Sequence, residues 1–153
     1  IYLCFCLILN IRAGPYIGSM SAAPIYIFDG HCVLCSGAVA HVLKYERRPD
    51  IRFVTIKSVE GREIAKRHNI DADNPKTFLF IDGGQAYDHS DAVFALMKHL
   101  DGPSKYLRWL RVIPRPLRDF MYRRIANNRY RLFGRTEACL VPSAQTRARF
   151  TLS

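Results

Sequence analysis

Two cysteines separated by two residues, Cys32-Val33-Leu34-Cys35, are the feature that most limits what this chain can fold into. A short β-rich apolar run, residues 25–28, and a turn signal, Asp29-Gly30, come before them. After them, apolar residues recur at helical spacing: Ala38, Val39, Val42 and Leu43. The pattern predicts a strand, a tight loop and a helix, with Cys32 at the helix entrance and both sulfurs within bonding distance.

A thiol pair in this position is typical of dithiol–disulfide chemistry. The free N–H groups and the macrodipole of a helix N-terminus stabilise a thiolate, so Cys32 is predicted to be the nucleophile. Cys35, one turn deeper, is predicted to be more shielded and to resolve the mixed disulfide. His31 would favour the thiolate if it were protonated, and it fits a solvated loop residue equally well.

Asp29, in the loop that enters the motif, has two interpretations that do not exclude each other. It either caps the helix or hydrogen-bonds the turn. Alternatively, it accepts the proton of Cys35 when the mixed disulfide is resolved.

Zinc binding and haem attachment are the other uses of a Cys-x-x-Cys motif. A structural zinc site normally has a second closely spaced pair, whereas this sequence has a single Cys-x-x-Cys. We therefore expect no metal and no cofactor. Cys139 is interpreted as a small buried hydrophobe, with a third redox thiol and a metal ligand as alternatives.

The following segments complete a small α/β unit. Residues 51–56 fit a strand, residues 59–68 fit a short helix, and residues 77–87 fit a hairpin with a turn at Asp82-Gly83-Gly84. The next helix has an apolar stripe at Val93, Leu96, Met97 and Leu100. This element order predicts a thioredoxin-like fold, with a central mixed four-stranded sheet flanked by helices.

The stretch Asp-Gly-x-Cys-x-x-Cys resembles the signature of the DCC family of thiol-disulfide oxidoreductases, which has a thioredoxin-like fold. The resemblance extends over roughly residues 24–142. Further similar landmarks are Arg52-Phe53, residues 90–93, residues 112–119, residues 128–135 and Cys139. The resemblance implies that Asp29, Cys32 and Cys35 form the site.

One junction departs from the wider thioredoxin pattern. Thioredoxins place a cis-proline just before the strand that faces the cysteines, where extended substrates pair with the backbone. In this chain Lys76-Thr77 occupies that position and Pro75 lies one residue earlier. An ordinary Asn-Pro turn explains the sequence equally well. Pro75, Lys76 and Thr77, together with Gly30 and His31, are therefore candidates for substrate binding or for tuning the thiols.

The positive charge is confined to the C-terminal third. Residues 104–153 hold twelve Lys and Arg against two Asp and Glu, whereas residues 1–103 hold eleven of each kind. Two basic helices are predicted, over residues 105–112 and 116–127. Their apolar stripes are expected to pack on the domain: Tyr106, Leu110 and Ile113 on the first, and Leu117, Phe120, Met121 and Ile125 on the second. The arginines would then form an outer basic face, which is either a plain solvated surface or a binding face.

The first nineteen residues are set apart as an upstream extension of the reading frame or a non-native addition, with a signal peptide as the rival interpretation. Residues 20–102 would form the thioredoxin-like core, and residues 103–153 a basic helical extension packed on the same domain. Without the extension three cysteines remain, which suits a reducing compartment. The predicted location is cytoplasmic, and export would require residues 1–19 to be a genuine signal segment.

The sequence as a whole predicts a thiol-disulfide oxidoreductase that acts through Cys32 and Cys35 on a protein or small-molecule thiol or disulfide. The alternative is a metal-binding module or basic adaptor on the same scaffold without redox turnover. The Arg-rich tail would suit an anionic membrane surface or an acidic partner. Nucleic acid is disfavoured, because the tail contains no recognised nucleic-acid motif.

Overall fold

The computed structural model describes residues 23–136 and 143–152. Five strands and four α-helices lie in these ranges, together with two 3-10 helices. Residues 1–19 and Cys139, which the sequence singled out, lie outside the described residues. The element bounds are as follows: β1 Ile25–Phe28, α1 Val33–Tyr45, β2 Arg52–Thr55, α2 Val59–Arg67, β3 Leu79–Asp82, β4 Gln85–Asp88, α3 His89–Met97, a 3-10 helix Pro103–Val112, α4 Arg115–Phe133, a short 3-10 helix Arg147–Arg149, and β5 Phe150–Thr151.

The strands form one mixed sheet in the order β4-β3-β1-β2-β5. β1 pairs in parallel with β2 and antiparallel with β3, so the parallel pair is joined through α1. β3 and β4 form the predicted hairpin, whose two turn residues Gly83 and Gly84 have φ of 57° and 80°. Positive φ at both positions is what tight hairpin turns require and what glycine adopts freely. The mixed α/β architecture agrees with a thioredoxin-like fold.

The sheet has five strands, whereas the sequence predicted four. β5 adds in parallel to β2, with Phe53 opposite Phe150 and Val54 opposite Thr151. Phe150 stacks on Phe53 with 4.7 Å between the ring centroids. A two-residue strand has no periodicity to detect, and its partner lies about a hundred residues earlier in the chain.

Side chains alternate between the two faces of the sheet and fill two cores. Tyr26 and Phe28 of β1 point to the face covered by α1 and α3, and they are buried with Phe53 and Phe80. Ile25 and Ile27 point to the opposite face, where α2 covers them with Ile64 and Ala65. The loop after β1 therefore emerges beside α1 and leads directly into the cysteine motif.

The basic tail differs from its prediction in two respects. The first predicted helix is a 3-10 helix that already begins at Pro103, and the second extends over Arg115–Phe133, further than expected. The apolar stripes expected in the core are largely exposed, because α4 packs through its other face. Four residues on that side face the rest of the domain. Arg118 lies over the ring of Phe94, Tyr122 accepts a hydrogen bond from Thr77, and Arg129 pairs with Asp29. The fourth, Ala126, is buried.

Candidate active site

The cysteine pair lies at the N-terminus of α1, where the sequence predicted it. Cys32 is the N-cap residue, with φ −94° and ψ 119°. The backbone N–H of Cys35 donates to Sγ of Cys32 at 3.4 Å. This contact uses one of the N–H groups that a helix start leaves unpaired, and it places positive partial charge next to Sγ of Cys32.

The shielding of the two cysteines is the reverse of the prediction. Cys32 is fully buried, with 0% of its surface exposed, whereas Cys35 is half-buried. Residues 134–136, which we call the covering segment, lie over Cys32: Arg135 forms an isolated β-bridge with it. The backbone N–H of Thr136 also donates to the carbonyl of His31 at 3.0 Å. A chain segment about a hundred residues away covers Cys32, and spacing within the motif cannot predict such a contact.

The surroundings of Cys35 keep it protonated. Burial raises its pKa, and the hydrogen bond to Cys32 and negative charge on Cys32 raise it further. Positive charge on Arg129 acts in the opposite direction without reversing the shift. The two thiols are therefore inequivalent: the pKa of Cys35 is raised, and Sγ of Cys32 is the sulfur that accepts the backbone N–H at the start of α1.

Asp29 is the polar centre of the site. Its side chain is buried, and its Oδ1 accepts the backbone N–H of His31 at 3.1 Å. Its Oδ2 accepts a guanidinium N–H of Arg129 at 3.2 Å and the hydroxyl of Tyr130. Arg129 is itself 5% exposed, so this is a buried ion pair between the loop after β1 and the far end of α4.

This network makes Asp29 a weak base. Burial by itself would raise its pKa, but the hydrogen bonds from Tyr130 and His31 and the charge of Arg129 together hold the pKa below its usual value. A carboxylate with a lowered pKa is a poor acceptor for the proton of Cys35. Of the two interpretations offered by the sequence, the geometry favours the one in which Asp29 holds the turn and adds negative charge near Cys35.

A cavity of about 170 Å³ opens beside Cys35, between α1, α4 and the loop before β3. Its wall is mostly apolar, with Asp29 and Arg129 as its charged members. The lining residues are Tyr26, Asp29, Leu34, Cys35, Ala38, Pro75, Thr77, Phe78, Tyr122, Ile125, Ala126 and Arg129. Cys32 is not among them, so a ligand in this cavity would meet Cys35 first.

The remaining candidate residues separate into two groups. Pro75 and Thr77 are buried and line the cavity, and Thr77 donates its hydroxyl to Tyr122 at 3.2 Å. Lys76 is exposed and does not line it. Gly30 and His31 stay in the loop next to Asp29, with Nδ1 of His31 3.9 Å from the carboxylate.

The described residues were compared with two further features, a metal cluster and a cis-proline. No group of three or more His, Cys, Asp or Glu residues gathers there in a way that could hold a metal ion. No peptide bond in residues 23–136 or 143–152 is cis, so Pro75 does not reproduce the cis-proline of thioredoxins.

Three residues of the site were not predicted from the sequence: Tyr122, Arg129 and Tyr130. All three come from α4, which we interpreted as a packed apolar stripe with an outer basic face. The stretch that contains Arg129 and Tyr130 did stand out as similar to a family landmark, and this was the available signal. Nothing in local spacing connects it to Asp29, because the two lie a hundred positions apart.

Comparison with known proteins points to one family of thiol-disulfide oxidoreductases. A family model described as DCC1-like thiol-disulfide oxidoreductase matches residues 26–135. The uncharacterized protein YuxK of Bacillus subtilis is 38% identical over 128 residues, which cover 82% of this chain and 92% of that protein. A chloroplastic DCC family protein of Arabidopsis thaliana is 37% identical over 117 residues, or 76% of this chain and 68% of that protein. No solved structure matches the chain significantly.

Proposed function

This chain belongs to the DCC1-like family of thiol-disulfide oxidoreductases, and on that basis we propose that it exchanges disulfides through Cys32 and Cys35. Cys32 is the attacking thiolate and Cys35 is the resolving thiol. The observation that carries this assignment is the N–H of Cys35 donating to Sγ of Cys32 at the start of α1. It supports negative charge on one sulfur of the pair and not on the other.

The reaction proceeds in two exchanges. The Cys32 thiolate attacks one sulfur of a substrate disulfide, which forms a mixed disulfide and releases the other substrate sulfur as a thiolate. Cys35 then gives up its proton, which the released thiolate can accept, and attacks the Cys32 sulfur. The second substrate thiolate leaves as the Cys32–Cys35 bond forms. The substrate disulfide gains two electrons and the cysteine pair loses two, and the reverse sequence oxidises a dithiol substrate.

Formation of the Cys32 thiolate also prepares the second exchange. While Cys32 is charged, it raises the pKa of Cys35 and keeps that thiol protonated. Once Cys32 is bound in a mixed disulfide its charge is gone, so this contribution to the pKa of Cys35 disappears. Cys35 then ionises more readily when its thiolate is needed.

Asp29 and the cavity have supporting roles in this proposal. Asp29 holds the Asp29–His31 turn through Arg129 and Tyr130, so it acts as a positioning residue. The cavity beside Cys35 gives room for the substrate group attached to the attacked sulfur. Its apolar wall suits an apolar substituent on either a protein or a small-molecule disulfide.

Titration against glutathione buffers of graded redox ratio tests the function. The full chain would carry Ser in place of Cys4, Cys6 and Cys139, so that only Cys32 and Cys35 react. We expect one two-electron transition from two free thiols to an intramolecular disulfide, counted by mass-tagged alkylation after an acid quench. Absence of that disulfide at every ratio, in a folded protein, would overturn the proposal.

Single substitutions in the same background test the two roles. Cys35→Ser should stop the reaction at a mixed disulfide between Cys32 and glutathione, because nothing remains to resolve it. Cys32→Ser should accumulate the corresponding adduct on Cys35 far more slowly. If the two variants behave in the opposite way, Cys35 is the attacking thiol and the assignment of roles is wrong.

The proposed compartment is a reducing one, the cytoplasm being the simplest case. Exchange of this kind starts from free thiols, which reducing compartments maintain. In residues 23–136 and 143–152, no helix is long and apolar enough to cross a membrane. The Arabidopsis relative is named as chloroplastic, and that name describes that protein alone.

A further inference from the structure

The 3-10 helix Pro103–Val112 sorts its residues into rows. Three residues complete one turn of such a helix, so positions three apart lie directly above one another. One row is aromatic and aliphatic, Tyr106, Trp109 and Val112; the next is cationic, Lys105, Arg108 and Arg111. We call these two neighbouring rows the basic–aromatic surface.

The apolar row of this surface faces solvent. Tyr106 is 65% exposed, Trp109 71% and Val112 84%. Large apolar side chains with so much accessible area are normal when scattered, but here they are consecutive on one helix. Leu117, Phe120 and Met121 continue the exposed apolar residues on α4, each about half accessible. Only Ile113 and Pro114 separate the two helices in sequence.

The cations of this region lack acidic partners. Among the residues that the structure describes, no carboxylate lies within ion-pair distance of Lys105, Arg108 or Arg111. Arg123 and Arg124 on α4 are likewise outside the ion pairs of the described chain. Among residues 23–136 and 143–152, positive charge and exposed apolar surface thus lie side by side with no carboxylate paired to these cations.

The 3-10 helix is anchored at both ends, so its rows keep their outward direction. At its start, Ser104 is buried and donates to the carbonyl of Asp101 at 3.4 Å. At its end, Arg111 lies over the ring of Phe94, 5.9 Å from the centroid, and Arg118 of α4 contacts the same ring at 4.8 Å. Arg111 is thus an anchor, and Lys105 and Arg108 are exposed cations of the same row. The surface is therefore presented by a helix held against α3.

We infer that the basic–aromatic surface, with the exposed apolar residues of α4, docks the protein onto an anionic lipid bilayer. Trp and Tyr rings favour the boundary between headgroups and acyl chains, and Arg and Lys favour lipid phosphates at almost the same depth. The two rows offer these groups next to each other along about 14 Å of helix. The proposed docking is independent of the thiol chemistry.

Other occupants fit this surface less well. A second copy of the chain would bring two unpaired cationic rows together across a twofold interface, and like charges in contact are repulsive. Nucleic acid would match the cations and could stack on Trp109, but it offers nothing to cover Val112, Leu117 and Met121. A bilayer supplies both phosphate and hydrocarbon.

The chain contains its own reporter for this interaction, because Trp109 is the only tryptophan in the sequence. Full-length protein would be titrated with phosphatidylcholine vesicles that contain phosphatidylserine, and with pure phosphatidylcholine vesicles. We expect a blue shift of the tryptophan emission and cosedimentation with the anionic vesicles, both weakening as salt rises. Pure phosphatidylcholine should give neither at the same lipid concentration.

Two variants separate charge from insertion. Lys105→Glu combined with Arg108→Glu should weaken binding to anionic vesicles by at least about thirtyfold, at about one kcal/mol for each cation lost near the surface. Trp109→Ala should weaken it by about tenfold through lost burial. The matched control is Lys57→Glu combined with Lys66→Glu, which makes the same charge change beside and on α2, away from this surface. It should retain most of the binding.

The test has four clear negative outcomes. The inference fails if binding does not require anionic lipid, or if the control pair loses as much binding as the Lys105 and Arg108 pair. It also fails if Trp109 is shielded by concentration-dependent self-association without vesicles, or if RNA binds while vesicles do not. Glutathione titration of the same variants should give an unchanged Cys32–Cys35 transition, which separates a docking defect from a folding defect.

Discussion

At the scale of single residues, Asp29 and Arg129 connect the start of the site to the end of α4. Both side chains are buried, and their ion pair is surrounded by hydrogen bonds from Tyr130 and from the backbone of His31. A buried ion pair contributes little when complete, because desolvation offsets the attraction, but the loss of one partner leaves a buried charge. These residues should therefore tolerate substitution poorly even though they are not the reacting thiols.

The first prediction concerns Asp29→Asn. At neutral pH its free energy of unfolding should fall by about 3 kcal/mol, because Arg129 loses its buried counter-charge. The folded-state pKa of Asp29 lies below the usual value of 3.8, so its ionised form stabilises the fold above that pH. As pH drops through 3.8 and below, wild type loses this contribution and the variant has none to lose. Urea unfolding from pH 7 down to acid should show the gap between the two narrowing.

Asp73→Asn provides the control for that series. Asp73 pairs with Arg62 at 2.9 Å on the surface, where both side chains are largely exposed. Exposed ion pairs contribute little to stability, so this variant should follow wild type closely at neutral pH. If the free energy of unfolding fell equally in the two variants, the buried Asp29–Arg129 pair would contribute no more to stability than the exposed Asp73–Arg62 pair.

At the scale of elements, the contact between α2 and β2 depends on a glycine. Gly61 lies in the first turn of α2, against the carbonyl of Thr55 and the backbone of Ile56. A Cβ at this position would come 2.8 Å from Cα of Ile56, closer than van der Waals contact allows. Because the obstructing atoms belong to the backbone, the helix would have to move away from the sheet.

The second prediction compares two helical glycines. Gly61→Ala should destabilise the protein by about 1–3 kcal/mol through overpacking. Gly37→Ala in α1 meets nothing within 4 Å, so it should raise stability by up to about 1 kcal/mol from helix propensity. Thermal and urea unfolding of both variants would measure the difference. The two changes in the free energy of unfolding should have opposite signs. A more stable Gly61→Ala variant would contradict the close approach of Gly61 to the backbone of Thr55 and Ile56.

Local patterns account for the elements that the sequence predicted well. The core strands, α1, α2 and the hairpin carry periodic apolar residues and turn glycines, which act over a few positions. The sequence predicted a helix over residues 105–112 without its type, although its basic residues recur every three positions, at 105, 108 and 111. That period is the one a 3-10 helix requires.

Contacts across the chain account for what the sequence could not predict. The side of α4 that packs is chosen by Tyr122 and Arg129, whose partners Thr77 and Asp29 are 45 and 100 positions away. Cys32, the more buried of the two cysteines, is likewise bridged to Arg135, outside the motif. Non-local contacts of this kind cannot be detected from local residue spacing. The spacing therefore predicted Cys32 at the helix entrance but not the contact of Cys32 with residues 134–136.

At the scale of the whole molecule, the C-terminal third completes the site as well as the fold. α4 forms one wall of the cavity, and the covering segment that follows it closes over Cys32. A substrate disulfide cannot reach Sγ of Cys32 while its residue is fully buried. The proposed attack by Cys32 therefore requires the covering segment to move away from the loop that contains His31.

The third prediction tests that requirement with Thr136→Pro. Proline lacks the N–H that donates to His31, and one such hydrogen bond contributes about 1 kcal/mol. The alkylation rate of Cys32 by iodoacetamide, measured with Cys35 and the other cysteines replaced by Ser, should rise by about fivefold.

Thr136→Ala separates the two parts of this residue, because it keeps the backbone donor and removes the hydroxyl. It should change the alkylation rate less than Thr136→Pro does. If wild-type Cys32 is already alkylated as quickly as a small free thiol, the covering segment is not a barrier and the prediction is wrong.

The short strand β5 also affects how the molecule behaves among other proteins. Unpaired strand edges invite pairing with other chains, and β2 would present such an edge if Phe150 and Thr151 were not paired with it. At the opposite side of the sheet, β4 has only four residues and ends at a charged residue, Asp88. One edge strand, β4, is short, and the edge of β2 is paired with the two-residue strand β5. Short edge strands discourage strand-to-strand aggregation in a crowded solution.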